Sequence, residues 1–319
     1  MNIKIISDVH LGSSKGPRYY QAQLLNFRAA LEDKSRVPVM ILGDLFDRFD
    51  APYQAVWDAY NLLRQQEDLI LVAGNHDLAR DTTKLSAFDF LCQMLVADMG
   101  DFCQVVKDKP RYIDSHCVVV PHLQNQEIFD KAIADVNERC CLFFHANFEN
   151  SFTKESDHSL NLSAEQARRF KHCFGGHEHN KREVGNVTML GAVFPCSISE
   201  AASPKFYHIF RTENAELFTL PAPFSPTYSE QDWQDLSKTA DFVRVTGTAS
   251  QTQAAEVIQT VASFRSGSDA FAVTNSVQVD GVSFDATEVI DDVETFNPLE
   301  ELRKALPAEF HKRLEAALI

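Results

Sequence analysis

The sequence predicts an α/β fold, and three observations carry that prediction. Short apolar runs alternate with amphipathic segments through the first 220 residues, the pattern of a mostly parallel sheet covered by helices. The amphipathic segments repeat their apolar residues near the helical period. Several apolar runs stop abruptly at Asp, Asn or His, and the carboxyl ends of strands are where open α/β sheets place their ligands.

The elements follow in order. "IKIIS" (3–7) reads as a first strand and not as a signal peptide, because the start lacks a basic segment, a long apolar run and a cleavage site. "YQAQLLNFRAALED" is a helix, with Leu24, Leu25, Phe27 and Leu31 near helical spacing. Strands "VPVMIL" (37–42), "DLILVA" (68–73), "CVVVP" (117–121), "CLFFH" (141–145) and "HCFGG" (172–176) are interleaved with helical segments 52–67, 84–97 and 126–139. Residues 1–220 thus read as one domain. "LPAPFSPTYSEQD" (220–232) carries three prolines and marks a linker over 221–240. A small α/β cap over 241–295 follows: strand "FVRVTG" (242–247), helix "QTQAAEVIQTVASF" (251–264) and strand "AFAVTNSVQV" (270–279). The tail, 296–319, holds C-terminal helices with Pro298 and Pro307 in first-turn positions. Leu299, Leu302 and Leu306 share one apolar face, which suits either docking in a partner's groove or packing on the cap.

Composition bounds the class. Hydrophobic residues make up 45% and charged residues 24%, as in ordinary soluble globular proteins. No apolar stretch is long enough to cross a bilayer, so no membrane role is expected. The seven cysteines are odd in number and scattered without a CxxC pair, which points to reduced structural thiols and a cytoplasmic protein. Net charge is −15, and residues 221–319 hold 7 Lys+Arg against 16 Asp+Glu. Such a chain grips a polyanion poorly by itself, because phosphate binding rests on neutralising backbone charge. Any nucleic-acid reading therefore needs bound cations or a basic partner.

The strand ends carry the chemistry. "IKIIS" runs into Asp8 and His10, "VPVMILG" into Asp44, Asp47 and Arg48, and "LILVAG" into Asn75, His76 and Asp77. "CLFF" ends in His145, and "CFGG" runs into His177 and His179. Each cluster alone has a plain reading as a turn, a cap or a solvated loop. Together they form an ordered set of imidazoles, carboxylates and one amide, each directly after an apolar strand. That donor set suits Mn, Fe or Zn and leaves little room for soft metals. Seven donors exceed what one tetrahedral ion uses and fit two ions about 3.5–4 Å apart that share a carboxylate.

The motifs "DVH", "GDLFDR", "GNHD", a lone His and "GHEH" resemble the calcineurin-like metallophosphoesterase superfamily over residues 8–179. The resemblance implies a β-sandwich flanked by helices. It also implies one ion on Asp8, His10, Asp44 and His179 and a second on Asp44, Asn75, His145 and His177. His116 and His122 compete with His145 for the lone His, and the position of His145 at the end of an apolar strand favours it. "DVHLG" and "VTMLGAVFPCSISEAASPKFYHIF" (187–210) are similar to the SbcD nuclease branch, including phage-encoded members, in Ser199, Glu200 and Lys205. Ala192 stands where that branch usually has Ser.

The resemblance implies a manganese-dependent 3′–5′ exonuclease and single-strand endonuclease in DNA repair or recombination, with Mg2+, Fe2+ and Zn2+ as other ions. It further implies a homodimer and an SbcC-like coiled-coil ATPase partner. The ions would supply the activated water, and His76 would protonate the leaving oxygen. Asp47 or Asp77 would orient the His76 ring, while Arg48 would bind a phosphate oxygen or form a surface salt bridge. Lys15, Arg18, Lys181 and Arg182 flank the clusters as DNA contacts or as solvated loop charges. Two rival readings stay open: a small-molecule phosphodiesterase or phosphatase of the same superfamily, and a non-catalytic scaffold for an ATPase.

Overall fold

The computed structural model describes residues 1–279 other than 14, 33–36, 80, 82 and 150–159. The elements are β1 (Asn2–Ile6), α1 (Pro17–Leu31), β2 (Val39–Leu42), α2 (Tyr53–Leu63), β3 (Leu69–Val72), α3 (Ala87–Met99), β4 (Cys103–Val106), β5 (Arg111–Asp114), β6 (Cys117–Val120), α4 (Gln126–Asp135) and β7 (Cys141–His145). They continue as β8 (Asn147–Phe148), β9 (Asn161–Leu162), α5 (Ala164–Ala167), β10 (Cys173–Gly176), β11 (Arg182–Val184), β12 (Val187–Met189), α6 (Ile198–Ala201), β13 (Phe206–Arg211) and β14 (Glu216–Pro221). The last are β15 (Tyr228–Asp232), β16 (Phe242–Thr246), β17 (Thr248–Ala249), α7 (Ala254–Gly267), β18 (Ala272–Asn275) and β19 (Gln278–Val279).

Two six-stranded sheets face each other, ordered β14-β13-β1-β2-β3-β4 and β11-β12-β10-β7-β6-β5. In the first, β1 to β4 run parallel and β13 and β14 are antiparallel additions. In the second, β12, β10, β7 and β6 run parallel, with β11 and β5 antiparallel at the edges. Successive strand residues point to opposite faces, so each central strand feeds two cores. Ile3, Ile5, Met40, Leu42 and Ile70 meet Val119, Phe143 and Phe174 between the sheets. Ile6, Ile41 and Leu71 pack outward under α1 to α3. Leu142 and Phe144 pack outward on the second sheet with Phe129 and Ile133 of α4. The result is helices, sheet, sheet, helices: the alternation indicated an α/β domain with a mostly parallel sheet, and the second sheet makes it the sandwich that the family resemblance implied.

Helix ends obey local chemistry. α1 begins at Pro17, earlier than the apolar spacing indicated, because proline has no N–H to leave unpaired in a first turn. α3 starts with a capping box between Ser86 and Asp89.

The cap is built from parallel strands β15, β16 and β18 around Trp233, Val243, Val245, Val257, Val261 and Val273. The predicted linker over 221–240 is therefore partly a strand: β15 pairs with β16 from Tyr228 to Asp232. Its sequence, "YSEQD", hides this, since its one buried side chain is the polar Gln231, which bonds the Lys238 carbonyl (2.8 Å). The predicted strand 270–279 is two, β18 and β19, the second pairing with β17. The cap packs on α1 through rings, with Tyr19 5.8 Å from Phe271 and 6.4 Å from Phe242. The expected cap residues beyond 279 and the tail helices of 296–319 lie outside the described residues. Among the described residues no helix is long and apolar enough to cross a membrane.

Candidate metal centre

Strands β1, β2, β3, β7 and β10 end at one edge of the sandwich, and their closing residues converge there. The approach is close enough to dictate glycine. A Cβ at Gly43 would lie 1.9 Å from His145 Nδ1, and one at Gly74 would lie 2.1 Å from Asp44 Oδ1. The backbone also bends sharply at the converging residues. Asp8, His10, Asp44 and His177 have φ of 53°, 52°, 49° and 87°. Left-handed backbone at a non-glycine costs about 1–3 kcal/mol and gathers at functional sites. Crossing hydrogen bonds hold these turns: His10 N donates to Asp44 O (3.0 Å), and Gln23 Nε2 donates to the carbonyls of Val9 (2.8 Å) and His10 (2.9 Å).

The side chains form two halves joined by Asp44. On one side, His10 Nε2 and His179 Nε2 are 3.0 Å apart, and Asp8 Oδ1 lies 3.9 Å from His179 Nε2. On the other, Asn75 Oδ1 lies 2.9 Å from His177 Nδ1 and 3.2 Å from His145 Nε2. Asp44 Oδ2 sits between, 3.2 Å from His145 Nε2 and 3.8 Å from His10 Nε2. Buried and without a hydrogen bond of proper geometry, this oxygen is an orphan that a cation would satisfy. Two imidazole nitrogens at 3.0 Å likewise need a proton or a cation between them. Two ligands about 2.1 Å from one ion at a right angle would be about 3 Å apart. The donors therefore fit a pair of divalent ions. All seven candidate ligands are brought together, and His145, not His116 or His122, groups with Asp44 and His177 in the second half.

Electrostatics follow from burial and neighbours. Burial raises the Asp44 carboxyl, but His145, His76 and His10 outweigh it and hold Asp44 well below the usual carboxylate range. Burial disfavours charged imidazole at His145 and His179, yet Asp44 raises the first to about 9 and Glu200 raises the second to about 9. His177 is pushed well down by burial and by the His145 charge. His122, half-buried beside His145, is pushed down to about 4 by burial.

His76 is exposed, and its ring centroid lies 4.9 Å from that of His10. Its Nδ1 is 2.6 Å from the Asp47 carbonyl oxygen, and it groups with His10 and Asp44. Desolvation lowers its pKa, and the Asp44 charge with the Asp47 carbonyl carries it above the ordinary value. Orientation by a carboxylate is thereby corrected, because the backbone of Asp47 does it. The Asp47 carboxylate instead faces His10 Nδ1 at 3.6 Å. Asp77 is also corrected. Its Oδ2 accepts from Gly74 N (3.0 Å) and Leu45 N (3.3 Å), and its Oδ1 accepts from Phe46 N (3.0 Å). Burial and the Asp44 charge push it up to about 7. It ties the GNHD loop to the GDLF loop and does not reach the His76 ring.

The basic candidates are mostly engaged. Arg48 forms a forked pair with Asp50, which favours the salt-bridge reading, and Arg18 reaches Asp269 of the cap at 2.8 Å. Arg182 binds Glu178 and the Phe148 carbonyl, and Lys181 pairs with Glu183. Lys15 lies over the Tyr19 ring (5.4 Å) and donates to Ser13 Oγ (3.3 Å), and its charge helps hold Asp47 low. Sequence reasoning missed three neighbours of the centre. Glu200 Oε1 is 3.0 Å from His179 Nδ1, Lys205 Nζ donates to the His179 carbonyl (2.9 Å), and Cys196 groups with His10 and His179. Glu200 and Lys205 stood in the "SISEAASPK" segment without a role, and Cys196 read as a structural thiol.

The sequence matches the calcineurin-like phosphoesterase family over residues 1–181, more than half of its length. The chain belongs to that family, a superfamily of metal-dependent hydrolases that use two divalent ions. No curated protein matches it. Among solved structures it is similar to an archaeal phosphodiesterase, with 18% identity over 69% of this chain and 99% of that one and a TM-score of 0.38. It is also similar to the protein TT1561 of Thermus thermophilus, with 13% identity, 69% and 98% coverage and a TM-score of 0.44. A metallophosphoesterase from Sphaerobacter thermophilus gives 18% identity, 70% and 89% coverage and a TM-score of 0.33. Family membership rests on the matched segment and not on these likenesses.

Proposed function

We propose that the chain is a two-metal phosphodiesterase that cuts DNA, the nuclease subunit of an SbcCD-like assembly. The observation that carries the reading is the packing of the SbcD-like segment against the centre. Gly191 lies beside Lys181 and His179, Ala192 N donates to the His179 carbonyl (3.0 Å), and Glu200 and Lys205 close on His179. Ala192 is fully buried, so the usual serine hydroxyl at that position would have faced the interior and not a substrate.

Asp8, His10, Asp44 and His179 would hold one ion, and Asp44, Asn75, His145 and His177 the other. When bound, the ions supply charge neutralisation at a phosphoryl oxygen and a water ionised near neutral pH, with Mn2+ as the activating ion. His76 presents Nε2 at the rim of the centre, where it can protonate a leaving oxygen while the Asp47 carbonyl fixes Nδ1. The glycine-lined turns keep the donors rigid, so that little reorganisation accompanies turnover.

A second reading, hydrolysis of a small phosphodiester, has its own support. Arg18, Arg48, Lys181 and Arg182 all pair with carboxylates, and the chain is acidic. On the DNA reading a basic SbcC-like ATPase supplies the missing cationic surface. The homodimer that the family resemblance implies has a suitable face on α2 and α3, where Tyr53 is 89% exposed and Trp57 and Phe90 are about half exposed. Incubation with Mn2+ and either end-labelled duplex DNA or cyclic nucleotides separates the readings. Degradation of the duplex supports the nuclease, and cleavage of the small substrate alone sinks it.

A further inference from the structure

The far nitrogen of His179 meets a carboxylate at hydrogen-bond distance, with Nδ1 3.0 Å from Glu200 Oε1, while His10 Nδ1 stands 3.6 Å from Asp47 Oδ1. His145, its counterpart in the other half, rests its Nδ1 on a neutral carbonyl, Leu42 O, at 3.0 Å. The Glu200 carboxylate is itself fixed. Ser197 Oγ donates to Oε1 (2.8 Å), Cys196 N donates to Oε2 (2.9 Å), and Lys205 Nζ lies 3.5 Å from Oε2. Lys205, buried, also donates to the His179 carbonyl (2.9 Å) and to Asn180 Oδ1 (3.2 Å), so one ammonium ties the carboxylate to the backbone of the histidine it serves. The segment bearing Glu200 is anchored to α1, where Tyr19 Oη donates to the Pro195 carbonyl (3.0 Å) and Asn26 Nδ2 to the Val193 carbonyl (2.6 Å).

We propose that Glu200 is the positioning residue of His179: its carboxylate accepts a hydrogen bond from Nδ1–H, which leaves the Nε2 lone pair for the ion that His10 would share and would make that half of the centre the tighter one. The inference rests on the two-ion reading above. A carboxylate behind a ligating imidazole fixes its tautomer and raises its basicity, and losing such a partner costs about 10–100-fold in metal affinity. A neutral carbonyl fixes the tautomer with a smaller gain in basicity, so the two halves are unequal by construction.

Calorimetric titration of the whole chain with Mn2+ tests this. Wild type should take up two ions in distinguishable steps. Glu200→Ala should weaken one step by about 10–100-fold and leave the other within about threefold. Glu200→Gln, which keeps an oxygen acceptor for the Nδ1 proton, should recover most of the loss. Because Glu200→Ala leaves Lys205 without its carboxylate, the double change Glu200→Ala/Lys205→Met is titrated too and should show the same selective loss. Wild-type chain that binds no ion overturns the two-ion reading itself. Two ions in wild type with unchanged steps in Glu200→Ala and the double variant overturn the positioning role alone, as does a Glu200→Gln variant no better than Glu200→Ala.

Discussion

The metal domain and the cap use the same construction and differ in how their strands end. Both are built on parallel strands: β1, β2 and β3 are joined through α1 and α2, and β16 and β18 of the cap are joined through α7, while β15 reaches β16 through a loop. In the metal domain the strands break into Asp8, Asp44, Asn75 and His177, three of them on left-handed backbone. In the cap β16 ends at Thr246 and Gly247 and β18 at Asn275, with no converging imidazoles among the described residues. The fold alone therefore does not make a site. What makes one is the choice, at each strand end, of a donor, held at Asp8, Asp44 and His177 on strained left-handed backbone.

The largest expected break in this comparison comes from Asp44→Ala. It removes the group common to both halves, so Mn2+ uptake should fall from two ions to fewer than one and hydrolysis should drop to background. Retention of both ions in calorimetry would mean that the halves do not share this carboxylate. Next is His76→Ala, which should lower kcat by about 10²–10⁴ while leaving metal stoichiometry unchanged, the magnitude of a lost general acid. Asn75→Ala should instead weaken metal uptake, and equal metal loss in the two variants would contradict the separate roles. Trp233→Ala empties the cap core and should cost about 3–5 kcal/mol there by denaturant melting. Ion uptake should stay normal if the centre belongs to the metal domain alone.

The smallest effect concerns an imidazole of the metal domain that joins no centre. His208 lies inside, with Nε2 3.1 Å from the Leu190 carbonyl, and burial pushes its pKa down to about 4. The unfolded chain, with an ordinary imidazole near 6.5, binds the extra proton between about pH 4 and 6.5, so stability falls as pH drops through that window. His208→Asn should remove up to about 3 kcal/mol of this acid loss. Melting curves at pH 5 and 7 that shift equally in both proteins would refute it.

The fold was legible where burial is symmetric. "VMIL", "LILV" and "CLFF" are covered on both faces and read as unbroken apolar runs, and "IKII" is interrupted only by Lys4, whose Nζ donates to the Leu31 carbonyl. It was illegible where strands sit at edges. β5, "RYID", is exposed or half-buried and carries no apolar run, and β15, "YSEQD", sat inside a proline-marked linker. The candidate ligands were legible because ordinary turns do not place donors directly after five separate apolar strands. The part played by Asp77 was open because GNHD gives no sign that its one carboxylate turns inward to three backbone N–H groups. Glu200 had no readable role for a similar reason, since it meets His179 only after the chain has folded across the sandwich.

The central claim is one centre with two ions joined by Asp44. Anomalous diffraction at the manganese edge, from crystals grown with Mn2+, tests it most directly. The account predicts two peaks about 3.5–4 Å apart, one against His10 and His179, the other against Asn75, His145 and His177, with Asp44 touching both. A single peak, or two peaks that Asp44 does not join, would contradict it.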